Sequence, residues 1–221
     1  ISFPQSHAAA PAPGCGEVVT LATHNRTTMR YALARAQGEP AQDARIALVL
    51  LVGGGGYLNL DDQGCPQLLS RNVLMRMLPI FRGAGFATAL VDAPSDLTGG
   101  DGLAEFRSAP PHADDLGKVI ADVRARTNAA VWVVGHSRGS ISAANAAARL
   151  AGADAPDGSA LLSAMMAGDA RARKVFAAQS VLDLPLEAIK TPLLVIGHAA
   201  DNCTRSPAEL MATIAQRTPS V

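Results

Sequence analysis

Short aliphatic runs alternate along this chain with stretches of helical spacing. The runs cover residues 46–52, 86–91, 131–134, 158–165 and 192–196, and each has the length of a strand buried on both faces. Apolar positions three or four residues apart predict helices over residues 66–83, 114–126, 140–150 and 207–216. Residues 17–36 form two extended segments around His24-Asn25-Arg26, which predicts an antiparallel hairpin. Because strands alternate with helices, we expect an α/β fold: a mostly parallel central sheet with helices on both faces.

The length and composition suit one globular domain. The 221 residues are 48% hydrophobic, which allows a substantial core, and we assign residues 16–221 to a single α/β domain. Residues 1–13 are rich in proline and small residues, so residues 1–15 are expected to be a disordered remnant of a secretory signal. The expected location is therefore periplasmic or secreted. An ordinary disordered N-terminus on a cytoplasmic protein is the alternative.

Charge and aromatic content narrow the range of partners. Lys plus Arg and Asp plus Glu both number 19, so the formal net charge is zero, and no basic run is present. Aromatic residues make up only 4% of the chain, which argues against a platform for stacking bases. We therefore expect no binding to nucleic acid or to an anionic membrane surface. No apolar run reaches the length of a membrane span.

The three cysteines, Cys15, Cys65 and Cys203, lie far apart and form no Cys-x-x-Cys motif. A zinc site or a redox motif is therefore not expected. In an exported protein the odd number leaves one thiol free or without its partner. For Cys203 two interpretations stay open: a disulfide with a cysteine beyond the end of this chain, or a buried free thiol.

The strongest motif is Gly135-His136-Ser137-Arg138-Gly139, which follows an apolar, β-branched run and precedes an alanine-rich helical pattern. A strand, a sharp turn and a helix around Gly-x-Ser-x-Gly are typical of a nucleophile elbow. The turn holds the serine hydroxyl above the sheet. The two glycines are small because the strand and the helix crowd together there.

Together these features resemble the α/β-hydrolase superfamily, over nearly the whole chain from about residue 18. The matching segments are Leu51-Val52-Gly53-Gly54-Gly55-Gly56-Tyr57, the elbow motif, and Leu194-Val195-Ile196-Gly197-His198-Ala199-Ala200-Asp201. The resemblance implies an α/β-hydrolase-like sheet with an N-terminal antiparallel hairpin. It also implies a serine, an acid and a histidine in that order, each at the carboxyl end of a strand.

By this resemblance Ser137 is the expected nucleophile, and the oxyanion formed on attack needs fixed N–H donors. Those donors are expected to be the backbone N–H groups of Gly55 and Arg138. A P-loop is excluded because Tyr57 and its neighbours stand where Gly-Lys-Ser/Thr is required, and a dinucleotide fingerprint fails on its third glycine. The residues expected to line the substrate site are Gly54, Gly56, Tyr57 and His136.

Asp201 is the expected acid, because it follows a strand in the loop where this fold places the residue that orients the histidine. Asp183 is the competitor. It precedes the strand, so a local capping role is favoured for it. Asp92 and Asp96 follow the strand at 86–91, and structural roles in turns are favoured over a role in shaping the pocket.

The histidine of the expected triad is not in place, because no histidine follows Asp201. We therefore expect that the chain is a fragment that lacks the last strand with the catalytic histidine, and that by itself it is poorly active and marginally soluble. His198 is the alternative base. His136 is expected to point away from Ser137, and His112 to be structural. His7 and His24 are expected to lie far from the site.

The prediction is a serine-dependent hydrolase that acts on ester or thioester acyl bonds of a small molecule through an acyl-enzyme at Ser137. It needs no metal or organic cofactor. Two alternatives stay open: a non-catalytic binding protein on the same scaffold, and an acyltransferase. For Arg138 a salt bridge that holds the elbow is favoured over contact with an anionic substrate group, and Trp132 is expected in the core. The substrate and the oligomeric state are not predicted.

Overall fold

A computed structural model describes residues 15–37, 44–99, 101–169, 171 and 174–219. The predicted N-terminal remnant, residues 1–15, lies outside this part of the chain except for Cys15. No helix in the described ranges is both long enough and apolar enough to cross a membrane.

The described strands form one seven-stranded sheet in the order β1-β2-β4-β3-β5-β6-β7. The strand β1 pairs antiparallel with β2, and β2 pairs antiparallel with β4, whereas all the remaining pairs are parallel. The predicted hairpin and the predicted parallel sheet are both confirmed. The strands are β1 (Glu17–Ala22), β2 (Thr28–Ala34), β3 (Ile46–Leu51), β4 (Ala87–Val91), β5 (Ala130–His136), β6 (Gly158–Leu162) and β7 (Leu193–Ile196).

Helices cover both faces of the sheet. The α-helices are α1 (Val73–Gly83), α2 (Pro110–Thr127), α3 (Gly139–Arg149) and α4 (Met211–Arg217). The apolar side chains of α1 pack in one core cluster with alternate side chains of β3 and β4. Those of α2, α3 and α4 pack in a second cluster on the opposite face. The central strands are buried from both sides, as their continuous aliphatic composition requires.

The first predicted helix is wrong in its first turns. It begins at Val73 and not at residue 66, and Asn72 caps it by accepting a hydrogen bond from the backbone N–H of Leu74 at 3.0 Å. Upstream, the N–H groups of Gln67 and Leu68 both donate to the carbonyl of Leu58, which folds this segment back, and Leu69 has a positive φ of +56° that a right-handed helix does not allow. Leu68 and Leu69, which the helical interpretation buried, are therefore 45% and 37% exposed.

The predicted burial of the last strand is wrong on one of its faces. Leu193 and Val195 pack against the core beside α4. Leu194 and Ile196, on the alternate face, are 52% and 50% exposed. The strand β7 ends the described sheet, so it lacks a second neighbouring strand there. Three other boundaries differ by three or four residues: β6 stops at Leu162, α4 begins at Met211, and α2 begins at Pro110, where proline suits a first helical turn.

Cys15 and Cys65 form a disulfide that joins the start of β1 to the loop that follows the glycine-rich segment. Cys203 is exposed and pairs with neither of the other two cysteines, so the interpretation as a buried thiol is wrong, while a disulfide with a cysteine beyond this chain stays a prediction. A hydrogen bond from the backbone N–H of Arg205 lowers the pKa of this thiol. The sequence pattern did not indicate the Cys15–Cys65 pair, because partners 50 residues apart meet only through the fold.

Candidate active site

Ser137 lies in the tight turn between β5 and α3 with a backbone φ of +52°, a conformation that a residue with a Cβ rarely adopts. A Cβ on Gly135 would overlap the carbonyl of Gly139, and a Cβ on Gly139 would overlap the carbonyl of Leu51. Both glycines are therefore required by contact between β5, α3 and the end of β3. This packing holds Ser137 in its strained conformation.

The loop of residues 53–56, hereafter the glycine loop, forms the wall beside Ser137. A Cβ on Gly53 would lie 2.9 Å from Cβ of Ser137 and 3.4 Å from its Oγ. Only a glycine lets the main chain come so close to the hydroxyl. Within the described residues the backbone N–H groups of Gly53, Gly54 and Gly55 have no hydrogen-bond acceptor. The glycine loop therefore offers main-chain donors close to Ser137.

Arg107 lies behind the glycine loop and is only 1% exposed. Its Nη2 donates to the carbonyls of Val52 at 3.0 Å and of Gly54 at 3.3 Å, and its Nη1 donates to Oγ of Ser142 on α3 at 2.9 Å. One side chain thus joins the glycine loop to the helix that follows Ser137. Sequence reasoning missed it, because nothing in the sequence distinguishes this arginine from the exposed ones.

Asp92, at the end of β4, holds the segment that follows the glycine loop. Its carboxylate accepts hydrogen bonds from the N–H groups of Leu58 at 2.6 Å, Leu60 at 3.0 Å and Ala93 at 2.8 Å. The structural role favoured for this residue is confirmed. Asp96 lies elsewhere, where its carboxylate pairs with His24 at 3.2 Å.

The histidines differ in their surroundings. His112 is buried with its Nε2 2.9 Å from Oγ of Ser142, and burial, followed by the charge of Arg107, lowers its pKa to about 3. Burial lowers the pKa of His24 also, but hydrogen bonds and charges of Asp115 and Asp96 outweigh it and leave the pKa raised. Neither residue is poised as a base, and the structural role expected for His112 is confirmed.

The other two described histidines lie near the carboxyl ends of the parallel strands. Half-burial lowers the pKa of His136, whose Nδ1 is buried without a hydrogen-bond partner in the described chain. His198, in the loop after β7, accepts a hydrogen bond at Nδ1 from the N–H of Ala200 at 3.1 Å. The structure thus ties the Nδ1 of His198 to its own loop.

Asp201 lies in the loop after β7, and β7 is separated from β5 by β6. Its Oδ1 accepts from the N–H of Cys203 at 2.9 Å, and its Oδ2 accepts from the hydroxyl of Ser206 at 3.1 Å. Asp183 closes a local capping box with Ser180, as expected. Asp201 therefore remains at the end of a strand, held by groups of its own loop.

Three further residues lie next to the glycine loop or to Ser137. The Tyr57 hydroxyl donates to Oδ1 of Asn59 at 2.9 Å, which orients the ring after the glycine loop. Burial lowers the pKa of Arg138, while the charge of Asp101 raises it. Leu69 has a φ of +56°, and its Cδ2 lies 3.4 Å from where a Cβ of Gly54 would stand. Leu69 is thus an apolar neighbour of the glycine loop, which the predicted helix over residues 66–83 did not indicate.

The described residues contain no cluster of three or more His, Cys, Asp or Glu side chains able to hold a metal ion. Trp132, expected in the core, is partly buried and packs against the cluster on the α1 face. Gly158 makes room for it across the β5–β6 pair, because a Cβ there would overlap the indole ring.

Comparison with known proteins finds likeness at the level of structure. No protein-family model matches the chain, and no curated protein matches its sequence. A dipeptidyl peptidase 4 from Porphyromonas gingivalis is 12% identical with a TM-score of 0.62, over 93% of this chain and 30% of the peptidase. This chain therefore spans less than a third of that protein.

Two smaller proteins are matched over most of their length. One is XC6422 from Xanthomonas campestris, described as an α/β serine hydrolase without a lid, at 16% identity and a TM-score of 0.58 over 97% of this chain and 85% of that one. The other is esterase 2 of Thermogutta terrifontis phosphonylated by sarin, at 16% identity and a TM-score of 0.60 over 94% and 80%. Other structures of that esterase hold propionate or butyrate.

The chain has the α/β-hydrolase fold. The structural likenesses support this, and so do the mixed sheet with its antiparallel hairpin and the helices on both of its faces.

Proposed function

We propose that this protein is a serine-dependent hydrolase of carboxylic esters or thioesters. Ser137 Oγ bonds to the substrate carbonyl carbon while a histidine takes the hydroxyl proton, and the N–H groups of Gly55 and Arg138 hold the oxyanion. The leaving alcohol or thiol takes that proton as its bond to the acyl carbon breaks. Water then repeats the sequence on the acyl-enzyme and releases the acid.

The observation that carries this proposal is the position of Ser137 itself. Ser137 has a φ of +52° in the turn that precedes α3 and lies against the main chain of the glycine loop. The N–H groups of Gly53, Gly54 and Gly55 in that loop have no acceptor among the described residues. The helix N-terminus beneath it favours developing negative charge. A strained serine facing free amides is an arrangement that serves acyl transfer, and packing alone gives no reason for it.

The acid and the base complete the proposal. Asp201 is assigned as the acid, because its loop follows a parallel strand on the same edge of the sheet as Ser137. His24 and His112 are engaged elsewhere, and His198 bonds within its own loop. His136 is assigned to substrate binding, and His7 lies outside the described residues. We propose that the base is a histidine outside this chain, as the order serine, acid, histidine implies.

The proposed substrate has a small or medium acyl group. Gly54, Gly56, Tyr57 and His136 are assigned to its binding. The segment between β6 and β7 contains only short 3₁₀ turns in its described part, which favours an open site. The structurally similar esterase that holds propionate and butyrate also favours a small acyl group.

Export is part of the proposal. The Cys15–Cys65 disulfide supports it, because structural disulfides persist mainly in oxidising compartments such as the periplasm or the extracellular space.

Labelling with a fluorophosphonate tests the assignment of Ser137. The complete gene product is treated with the probe, and the modified peptide is identified by mass spectrometry. We expect one adduct, on Ser137, which disappears in Ser137→Ala and persists in the matched variant Ser95→Ala in the loop after β4. If the natural protein takes up no label and Ser137→Ala changes no assay, the hydrolase assignment is wrong and a binding protein on this scaffold is favoured.

A further inference from the structure

Two peptide groups of the glycine loop are oriented by Arg107, which lies behind the loop. In a trans peptide the C=O of one residue and the N–H of the next point opposite ways. The carbonyls of Val52 and Gly54 point at Arg107, so the N–H groups of Gly53 and Gly55 point away from it. Gly53 also lies against Ser137. The guanidinium therefore fixes the direction of these two amide hydrogens, away from itself, in the loop beside the serine.

The charge of this guanidinium is not neutralised by a partner. Among the described residues no carboxylate lies within 4.0 Å of it, and its hydrogen bonds go to two carbonyls and one hydroxyl. Burial, followed by the charge of Arg138, lowers the pKa of Arg107 to about 9, so it is still protonated at neutral pH. A buried unpaired charge costs stability. The same charge polarises the peptides it binds and strengthens their N–H groups as donors.

The loop is shaped to admit the arginine. Gly56 has a φ of +81°, and a Cβ there would lie 2.6 Å from Nη2 of Arg107 and 2.7 Å from Cδ1 of Leu103. Asn145 on α3 holds the main chain of Arg107 by donating to its carbonyl at 3.1 Å. The arginine is thus fixed at both ends, by α3 and by the glycine loop.

We propose that Arg107 is a positioning residue for the reaction: by binding the carbonyls of Val52 and Gly54 it aims the N–H of Gly55 at the substrate oxyanion. This inference rests on the proposed function. Arg107 touches neither the substrate nor Ser137 in this scheme, and it acts through the peptide planes of the glycine loop. Its contribution is to the transition state, since the oxyanion exists only there and in the intermediates beside it.

The test compares Arg107→Met with Arg217→Met in the complete gene product, with p-nitrophenyl butyrate as the substrate. Arg217 is the matched control, because it also binds two carbonyls, those of Leu182 and Leu184, but lies on α4. We expect Arg107→Met to lower kcat and the rate of fluorophosphonate labelling by roughly 100-fold and to leave KM within about threefold. Arg217→Met should lower stability and leave kcat per folded molecule unchanged.

Arg107→Lys keeps the charge but loses the two-pronged geometry, so its kcat should lie between those of the natural protein and Arg107→Met. This variant also serves if Arg107→Met fails to fold. A kcat per folded molecule within about threefold of the natural value in Arg107→Met, or in Arg107→Lys where Arg107→Met does not fold, would overturn the positioning role while Ser137 still labels. If the natural protein itself neither labels nor hydrolyses the ester, the proposed function has failed and this inference with it.

Discussion

The surroundings of Ser137 and those of Asp201 are built in different ways. Around Ser137, contact between β3, β5 and α3 leaves room only for Gly135 and Gly139, and a buried arginine holds the glycine loop. Asp201 lies in a loop after a half-exposed strand and is held by its own neighbours. Packing of the core thus sets the geometry around Ser137, whereas local hydrogen bonds set that of the Asp201 loop.

Under the proposed function, this difference predicts the effects of mutation. A change to a group around Ser137, which serves the fold as well as the proposed reaction, should affect both stability and activity. A change to Asp201 should lower activity with little effect on stability.

The largest expected effect is on turnover. In Asp201→Asn an amide replaces the carboxylate, and its oxygen still accepts one loop hydrogen bond, but it no longer stabilises a protonated histidine. We expect kcat for p-nitrophenyl butyrate to fall about 10³- to 10⁴-fold, while the free energy of unfolding changes by less than about 1 kcal/mol.

Asp183→Asn is the control for Asp201→Asn, because Asp183 caps a 3₁₀ turn. It should lose about 0.5–2 kcal/mol of stability and keep its kcat. Equal kcat values in the two variants would mean that Asp201 takes no part in the reaction.

The second effect is on stability. The Cβ of Gly139→Ala would overlap the carbonyl oxygen of Leu51 and lie 2.9 Å from that of Val52, both at the end of a central strand. Backbone cannot yield there as a side chain could, so we expect a loss of about 3 kcal/mol or more in urea unfolding. Gly83→Ala, at the end of α1 with no atom within 4 Å of the new Cβ, should be neutral or stabilising by up to about 1 kcal/mol. Similar values for the two variants would mean that the elbow is less crowded than the structure shows.

What could be predicted from the sequence depends on whether the residues concerned are neighbours along the chain or meet only in the fold. The elbow was predictable, because its glycines, its strand and its helix are neighbours along the chain, and the clash that requires Gly135 is with Gly139 itself. Arg107 was not, because burial of one arginine depends on β3, α3 and the glycine loop meeting in space. Leu69 was misplaced for a related reason: its spacing is helical, but hydrogen bonds to the carbonyl of Leu58 fold the segment back and Leu69 has a positive φ. The exposed face of β7 follows from which strands and helices pack beside it, which an apolar run does not show.

The smallest expected effect is on β7, the strand that precedes the Asp201 loop. Leu194 and Ile196 are 52% and 50% exposed on one face of β7, so replacing both with threonine removes little buried area and keeps a residue that suits strands. We expect the free energy of unfolding to change by less than about 0.5 kcal/mol. Leu161→Thr, fully buried on the neighbouring strand, should cost about 2–4 kcal/mol. An apolar strand edge is also a template for pairing between chains, so sedimentation should show less self-association in the double variant. Unchanged self-association, or a loss of stability close to that of Leu161→Thr, would mean that this face of β7 is covered in the protein in solution.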